Sequence, residues 1–439
     1  MMWMWITIFF ASLIIYAQVN KVEGKKGFGV GEQDWSYVEV RPGAHMFWWL
    51  YYANPPNKPA RFDAFSKPLV IWVHGGPGSS AAGYGNFEEI GPYDIFGQYR
   101  NETLVNDYNV LFIDNPVGSG FSYVDNESAY ATNNRQIAND LLECIKKFLD
   151  AIPAFKNVPT YIFGESYGAK MGVKLASVWY KAQKCRSVQS NLKGIVLGSP
   201  WISPVDTVLS WPQFLLNTGI VDTAGARRIK TAAKKAERAV DEEDWKAATD
   251  AEVETLDTIS LVSDNITQFN ILIERSSHDG IQNHTTLFPK PPKPAEHWSQ
   301  LVTFMNTDVK QALGLTRTWI MDSEKVAEIL WSDIFKPAVN KVEELLNDTD
   351  LKVSVYSGQL DLICALPGTV KWVENMEWKH DEAWKNSPRV AFAVNDVLEG
   401  YVKAYKNFRM YWVFRAGHLV ANDNPYAMTA ILQDLTSGR

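Results

Sequence analysis

The stretch Thr160-Tyr161-Ile162-Phe163-Gly164-Glu165-Ser166-Tyr167-Gly168 constrains the fold more than any other part of the chain. A β-type apolar run empties into Gly-x-Ser-x-Gly, and the spacing that follows predicts a helix from about Ser166 to Lys181. A serine at the apex of so sharp a turn needs glycine neighbours, because side chains there would clash. The turn lifts the hydroxyl clear of the sheet, and the helix N-terminus beneath it favours negative charge. Ser166 is therefore a candidate nucleophile. The plain alternative is a Gly-Ser turn at a helix start.

The surrounding pattern supplies the sheet such a turn requires. Residues 68–73 (PLVIWV) and 109–114 (NVLFID) are short continuous apolar runs that end in loops, as buried parallel strands do. Residues 133–151 have helical spacing, 192–198 form another strand, and 35–53 read as two β-rich runs broken by Pro42-Gly43. Strands alternating with helices predict an α/β fold, a mostly parallel sheet with helices on both faces. The rhythm breaks after Pro204, where 205–288 read mostly as helices before a proline-rich exit at 288–298. It resumes with strands in 351–358 and 408–417. The expected organisation is a core of 34–200 plus 331–439, interrupted by a helical cap over 201–330.

Bulk properties narrow the partners. A net charge of -7 argues against nucleic acid. The basic run Arg227, Arg228, Lys230, Lys234, Lys235 and Arg238 sits in an Ala-rich stretch followed by four acids, which predicts a solvated helix face. Residues 1–17 are uncharged and almost wholly apolar, the pattern of a secretory signal cut after Ala17. No Lys or Arg precedes that run, so a signal anchor is the alternative; no other stretch is apolar enough to span a membrane. Sequons at Asn101, Asn126, Asn265, Asn283 and Asn347 fit an exported, glycosylated chain. Three cysteines, Cys144, Cys185 and Cys364, cannot staple a scaffold of this size. The 17 Trp read first as core packing.

A serine nucleophile needs a base. Of seven histidines, His278, His284 and His297 belong to the insertion or its exit, and His380 lies in a charged stretch. His418 follows the last strand on a Gly-containing loop and is the expected base. The orienting acid should follow the preceding core strand, which selects Asp361; Asp333 precedes that strand and Asp396 is read as opening a helix. An oxyanion hole needs two backbone N–H groups. Tyr167, next to the nucleophile, and Gly76, in the loop His74-Gly75-Gly76-Pro77-Gly78, are the candidates. No Lys follows those glycines at the spacing of a phosphate-binding loop.

WVHGGPGSS, NFEEIGP, DNPVGSGFSY, FGESYGAK, SGQLDLIC and RAGHLV together resemble the serine carboxypeptidase family, in its order and spacing from about residue 35 to the end. The resemblance implies an α/β-hydrolase fold and removal of C-terminal residues from peptides, best at acidic pH, in a secreted or lysosomal setting. It carries the triad onto Ser166, Asp361 and His418 and the oxyanion donors onto Gly76 and Tyr167. It also implies a grip on the substrate's terminal carboxylate by Glu165, Glu89, Trp72 and the loop positions His74 and Gly75. Acids can bind a carboxylate when they are protonated and donate, and burial raises a Glu pKa in that direction. His74 stands where many members have Asn, and could be cationic at low pH; Ser79 stands where many have a disulfide Cys. Cys364 matches a cysteine that some members carry beside the substrate pocket, and is expected to be a free thiol. No cofactor, metal or stable membrane association is implied, and a homodimer is left open. The alternatives are ester hydrolysis or acyl transfer through the same acyl-enzyme, and a protective binding role like that of one family relative.

Overall fold

The computed structural model describes residues 24–273 and 295–437. Twelve strands form one sheet. In chain order they are β1 (Lys25–Lys26), β2 (Glu32–Arg41), β3 (Ala44–Tyr51), β4 (Leu69–Val73), β5 (Asn109–Asp114) and β6 (Tyr123–Val124). Then follow β7 (Thr160–Glu165), β8 (Leu192–Gly198), β9 (Lys352–Gly358), β10 (Arg389–Val394), β11 (Val397–Tyr405) and β12 (Phe408–Val413). The spatial order is β1-β2-β3-β5-β4-β7-β8-β9-β12-β11-β10, with β6 paired to β3. From β5 to β12 every pairing is parallel, while both flanks are antiparallel.

The central strands read as unbroken apolar runs because both faces are covered. In β4, Leu69, Ile71 and Val73 enter one core, while Val70 and Trp72 enter the other. The first core is closed by α1 (Asn134–Ala151), through Ile137, Leu141, Ile145 and Phe148, and by α2 (Tyr167–Lys184). The second packs on the C-terminal helix Pro425–Thr436, through Met428, Ile431 and Leu432. The chain leaves β4 for β5 on one side, then crosses to β7 on the other. Loops that part at such a reversal leave a crevice at the strands' carboxyl ends, where α/β proteins place their sites.

Between β8 and β9 lie α3 (Pro204–Asn217), α4 (Thr223–Asp241), α5 (Trp245–Val262), α6 (Ala295–Phe304), α7 (Glu324–Ile334) and α8 (Val339–Asp348). The basic run lies on α4, with Arg227, Arg228, Lys230, Lys234, Lys235 and Arg238 all exposed and Ile229, Ala232, Ala233 and Ala236 buried opposite. It is a solvated helix face.

Asp396 does not open a helix. It follows Asn395 in the two-residue turn between β10 and β11, where both residues have positive φ, 50° and 62°. That is the hairpin turn whose twist matches the strands, and short polar side chains tolerate it. The leader 1–17, His278, His284 and Asn283 lie outside the described residues. Asn101 and Asn126 are exposed, while Asn265 and Asn347 are partly covered. The Asn347 amide oxygen accepts from Lys379 N at 2.8 Å. All three cysteines are free, Cys185 exposed and the others buried. No helix of the described residues is long and apolar enough to cross a membrane.

Candidate active site

Ser166 sits between β7 and α2 with φ 57° and ψ -126°, a backbone conformation unfavourable for a non-glycine residue. Its surroundings hold it there. Ser166 N donates to Gly198 O at 2.9 Å, and its carbonyl accepts from Trp201 N at 3.0 Å. The flanking glycines are required sterically: a Cβ on Gly164 would lie 2.5 Å from Gly168 O, and one on Gly168 2.2 Å from Val73 O. Tyr167 opens α2, so its N–H is among those a helix start leaves without an intrahelical acceptor.

The loop after β4 presses on this turn. A Cβ on Gly75 would lie 2.7 Å from Ser166 Cβ and 3.1 Å from Tyr167 N. Gly76 has φ +108°, a conformation that glycine adopts freely. Gly76 lines the cleft with Ser166, and Tyr167 follows Ser166 at the start of α2.

Asp361 and His418 arrive from β9 and β12, adjacent parallel strands. Gly358, at the end of β9, lets the two loops meet: a Cβ there would lie 2.0 Å from Gly417 O. Asp361 is fully buried, accepting from Cys364 N at 2.9 Å through Oδ1 and facing His418 Nδ1 at 3.0 Å through Oδ2. With Nδ1 engaged by a carboxylate, Nε2 is the nitrogen left to take a proton. The backbone fixes the ring from both sides, His418 N donating to Phe269 O at 2.6 Å and Ser199 Oγ donating to His418 O at 2.8 Å. Ser166 and His418 line one cleft of about 1150 Å³ including its open mouth, together with His74, Gly75, Gly76 and Glu165.

A second buried group adjoins Ser166 through Glu165. Glu89 belongs to Ala81–Ile90, a π-helical segment buried along its whole length. His74 Nδ1 lies 3.5 Å from Glu89 Oε1 and 3.9 Å from Glu165 Oε1, and accepts a hydrogen bond from Trp72 Nε1 at 3.3 Å. Gly85 leaves room for that indole, since a Cβ would lie 2.3 Å from Trp72 Nε1. Burial, then the Glu89 carboxyl beside it, raises the Glu165 pKa well above its ordinary value. The sequence expectation of a cationic His74 at low pH is corrected. Burial and then the His418 charge push it down to about 3, so through the mildly acidic range the ring is neutral, with its proton on Nε2.

Cys364 is wholly buried beside Asp361, to which its backbone N–H donates. Burial and then the Asp361 charge push the thiol up, so it is not a thiolate. Two sets of metal-type ligands fall within 4.8 Å, Asp361 with Cys364 and His418, and His74 with Glu89 and Glu165. Both coincide with the groups just described, whose atoms are engaged with one another.

The sequence profile of the serine carboxypeptidases matches residues 25–438. The chain belongs to the serine carboxypeptidase family. It is 36% identical over 407 residues to the retinoid-inducible serine carboxypeptidase of Mus musculus, covering 90% of this chain and 89% of the relative. It is 32% identical over 432 residues to serine carboxypeptidase-like 51 of Arabidopsis thaliana, covering 92% of each. The prohormone-processing carboxypeptidase Kex1 of Saccharomyces cerevisiae has the same fold, with a TM-score of 0.79 at 19% identity over 93% of this chain and 91% of that one. The motifs NFEEIGP, GESYGAK, SPWISPVD and GQLDLI likewise point to the retinoid-inducible branch of the family. Sequence reasoning missed Glu252 and Asp257, which line the cleft of this serine carboxypeptidase from α5. Their Ala- and acid-rich surroundings look like an ordinary surface helix.

Proposed function

We propose that this serine carboxypeptidase removes single C-terminal residues from peptides through Ser166, His418 and Asp361, working best at acidic pH. The observation that carries the reading is the sharing of one cleft by Ser166 with His418 and by His74 with Glu165, with Glu89 behind His74 at 3.5 Å. His418 takes the Ser166 proton as the hydroxyl attacks the scissile carbonyl, and Asp361 stabilises the resulting imidazolium. The N–H groups of Gly76 and Tyr167 receive the developing oxyanion. His418 then protonates the departing amine, and water repeats the sequence on the acyl-enzyme. The substrate's terminal carboxylate is gripped by His74 Nε2–H, Gly75 N–H and protonated Glu165, with Glu89 and Trp72 holding those groups in place. The helices of 201–330 form the cap over this cleft. A secreted or lysosomal setting is supported by the apolar leader and by the exposed sequons Asn101 and Asn126. Incubation with N-blocked dipeptides and matched esters from pH 4 to 8 tests the reading. Release of the C-terminal amino acid supports it, turnover of esters alone favours the acyl-transfer alternative, and turnover of neither favours a binding role.

The grip has a pH window of calculable sign. A peptide carboxylate is ionised above roughly pH 3.5. Glu165 keeps its proton until the pH reaches its raised value, so binding weakens as pH rises through that value. Folding is linked in the same sense. A group whose folded pKa exceeds its ordinary 4.5 contributes stability that is fully present below 4.5 and is lost as pH rises through the folded value. Glu165→Gln, which keeps a donor, is expected to retain more acid-pH peptidase activity than Glu165→Ala, and to melt with a weaker pH dependence above 4.5 than the parent. Equal losses of activity in both variants would count against the donor role.

Cys364 offers an independent check on the cleft. A small inorganic mercurial is expected to inhibit peptide hydrolysis slowly, as befits a buried, protonated thiol, and not to inhibit Cys364→Ser. Inhibition undiminished in Cys364→Ser would place the reactive thiol elsewhere.

A further inference from the structure

The described lining of the cleft contains four carboxyl residues, Glu165, Glu252, Asp257 and Asp322, and no Lys or Arg. Three of them have protein contacts. Glu165 meets His74 and Glu89, Asp322 accepts from Ser79 Oγ at 2.6 Å, and Asp257 has a contact of its own. Glu252 is different. It projects from α5 into the cleft, its residue is 8% exposed, and among the described residues its carboxyl has neither a hydrogen-bond nor an ion-pair partner. Its oxygens open onto the cleft, where a cation that enters can reach them and offset the cost of their partial burial.

The position of Glu252 along the cleft follows from its neighbours. Thr249, one turn before Glu252 on α5, donates to Trp331 O of α7 at 3.0 Å, and Ile334 O of the same helix accepts from Trp201 Nε1 at 3.1 Å, so Glu252 lies on the Trp201 and Ile334 side of the cleft. His74 packs on Tyr84, which stacks on Trp298, and these rings mark the end of the cleft where the terminal carboxylate, and with it the departing residue, is held in the reading above. The residue on the acyl side of the scissile bond therefore extends toward Glu252. Leu256, Trp201, Ile334 and Ile363 line the same cleft and offer an apolar wall. A long methylene stem ending in a cation fits an apolar passage closed by a carboxylate.

We propose that Glu252 selects peptides whose penultimate residue is Lys or Arg. The inference rests on the carboxypeptidase reading and adds the substrate class. Burial pushes the Glu252 carboxyl up to about 8, so at acidic pH an arriving cation must displace its proton, and the preference for that cation is expected to grow as pH rises toward this value.

The test compares three N-blocked dipeptides: Lys-Leu, norleucine-Leu and norleucine-Lys. For the parent, kcat/KM is expected to be about tenfold higher for Lys-Leu than for norleucine-Leu, as a desolvated charge pair can discriminate. In Glu252→Gln that ratio falls to within about twofold of unity, and in Glu252→Leu it inverts. Equal parent rates, a preference for norleucine-Lys instead, or a ratio unchanged in Glu252→Gln would each overturn the proposal. Binding of the same dipeptides to Ser166→Ala, measured by calorimetry, separates this inference from the reading beneath it. Tighter binding of Lys-Leu without turnover by the parent would remove the peptidase reading and leave Glu252 as the recognising group. Equal binding of all three would remove the Glu252 proposal whatever the turnover.

Discussion

Replacing Ser166 by Ala is expected to lower peptide hydrolysis by about a million-fold, down to the residual rate that oxyanion stabilisation and substrate binding supply alone. The size of the loss follows from what the side chain does. Without Oγ there is no acyl-enzyme, so His418 and Asp361 have nothing to activate and the three residues fail as a unit. The fold should survive the change. Ser166 is held by its backbone, through Gly198 O and Trp201 N, and alanine preserves both bonds. The steady-state rate with an N-blocked dipeptide at acidic pH, alongside the melting temperature, checks the expectation. A variant with unchanged melting and a loss below about a hundredfold would mean that another group performs the attack.

Asp361→Asn is expected to cost about ten-thousandfold in kcat with little effect on fold. The asparagine keeps an oxygen for Cys364 N, which lies 2.9 Å from Oδ1 in the parent. Its NH₂ then faces His418 Nδ1, where a carboxylate oxygen stood at 3.0 Å. The ring must accept at Nδ1 and carry its proton on Nε2, so it can no longer accept the Ser166 proton. Loss of the stabilised imidazolium adds to the wrong tautomer. A merely structural role for Asp361 would give a different result, a lowered melting temperature with a proportionate loss of activity at every pH. The tautomer account instead requires a folded variant whose activity recovers in part at high pH, where other bases can serve.

Much of this site was legible because the chain writes its strand ends distinctly. PLVIWV before HGGPG, TYIF before GESYG, and KVSVYSG before Asp361 each combine a buried run with small residues, and each places a site residue at a carboxyl end. What stayed hidden depends on contacts remote in sequence. The hairpin of β10 and β11 has an Asn-Asp turn without glycine and mostly exposed residues in β10, so neither the usual turn signal nor a buried run announced it. The lowered pKa of His74 follows from its near-complete burial at the cleft wall and from the His418 charge, which no local pattern encodes. Glu252 was hidden for the opposite reason. Its helix has the composition of a surface helix, and only packing against the cleft turns one of its acids inward.

The proposed carboxypeptidase activity needs Ser166 and His418 to work beside a carboxylate grip at His74 and Glu165 in one cleft. Its most direct test incubates one peptide and its C-terminal amide side by side at pH 5, with products followed by mass spectrometry over time. The account expects stepwise loss of single residues from the free acid, while the amide, which gives His74, Gly75 and Glu165 no carboxylate to hold, is cleaved far more slowly. Equal cleavage of acid and amide, or cuts within the chain, would contradict it.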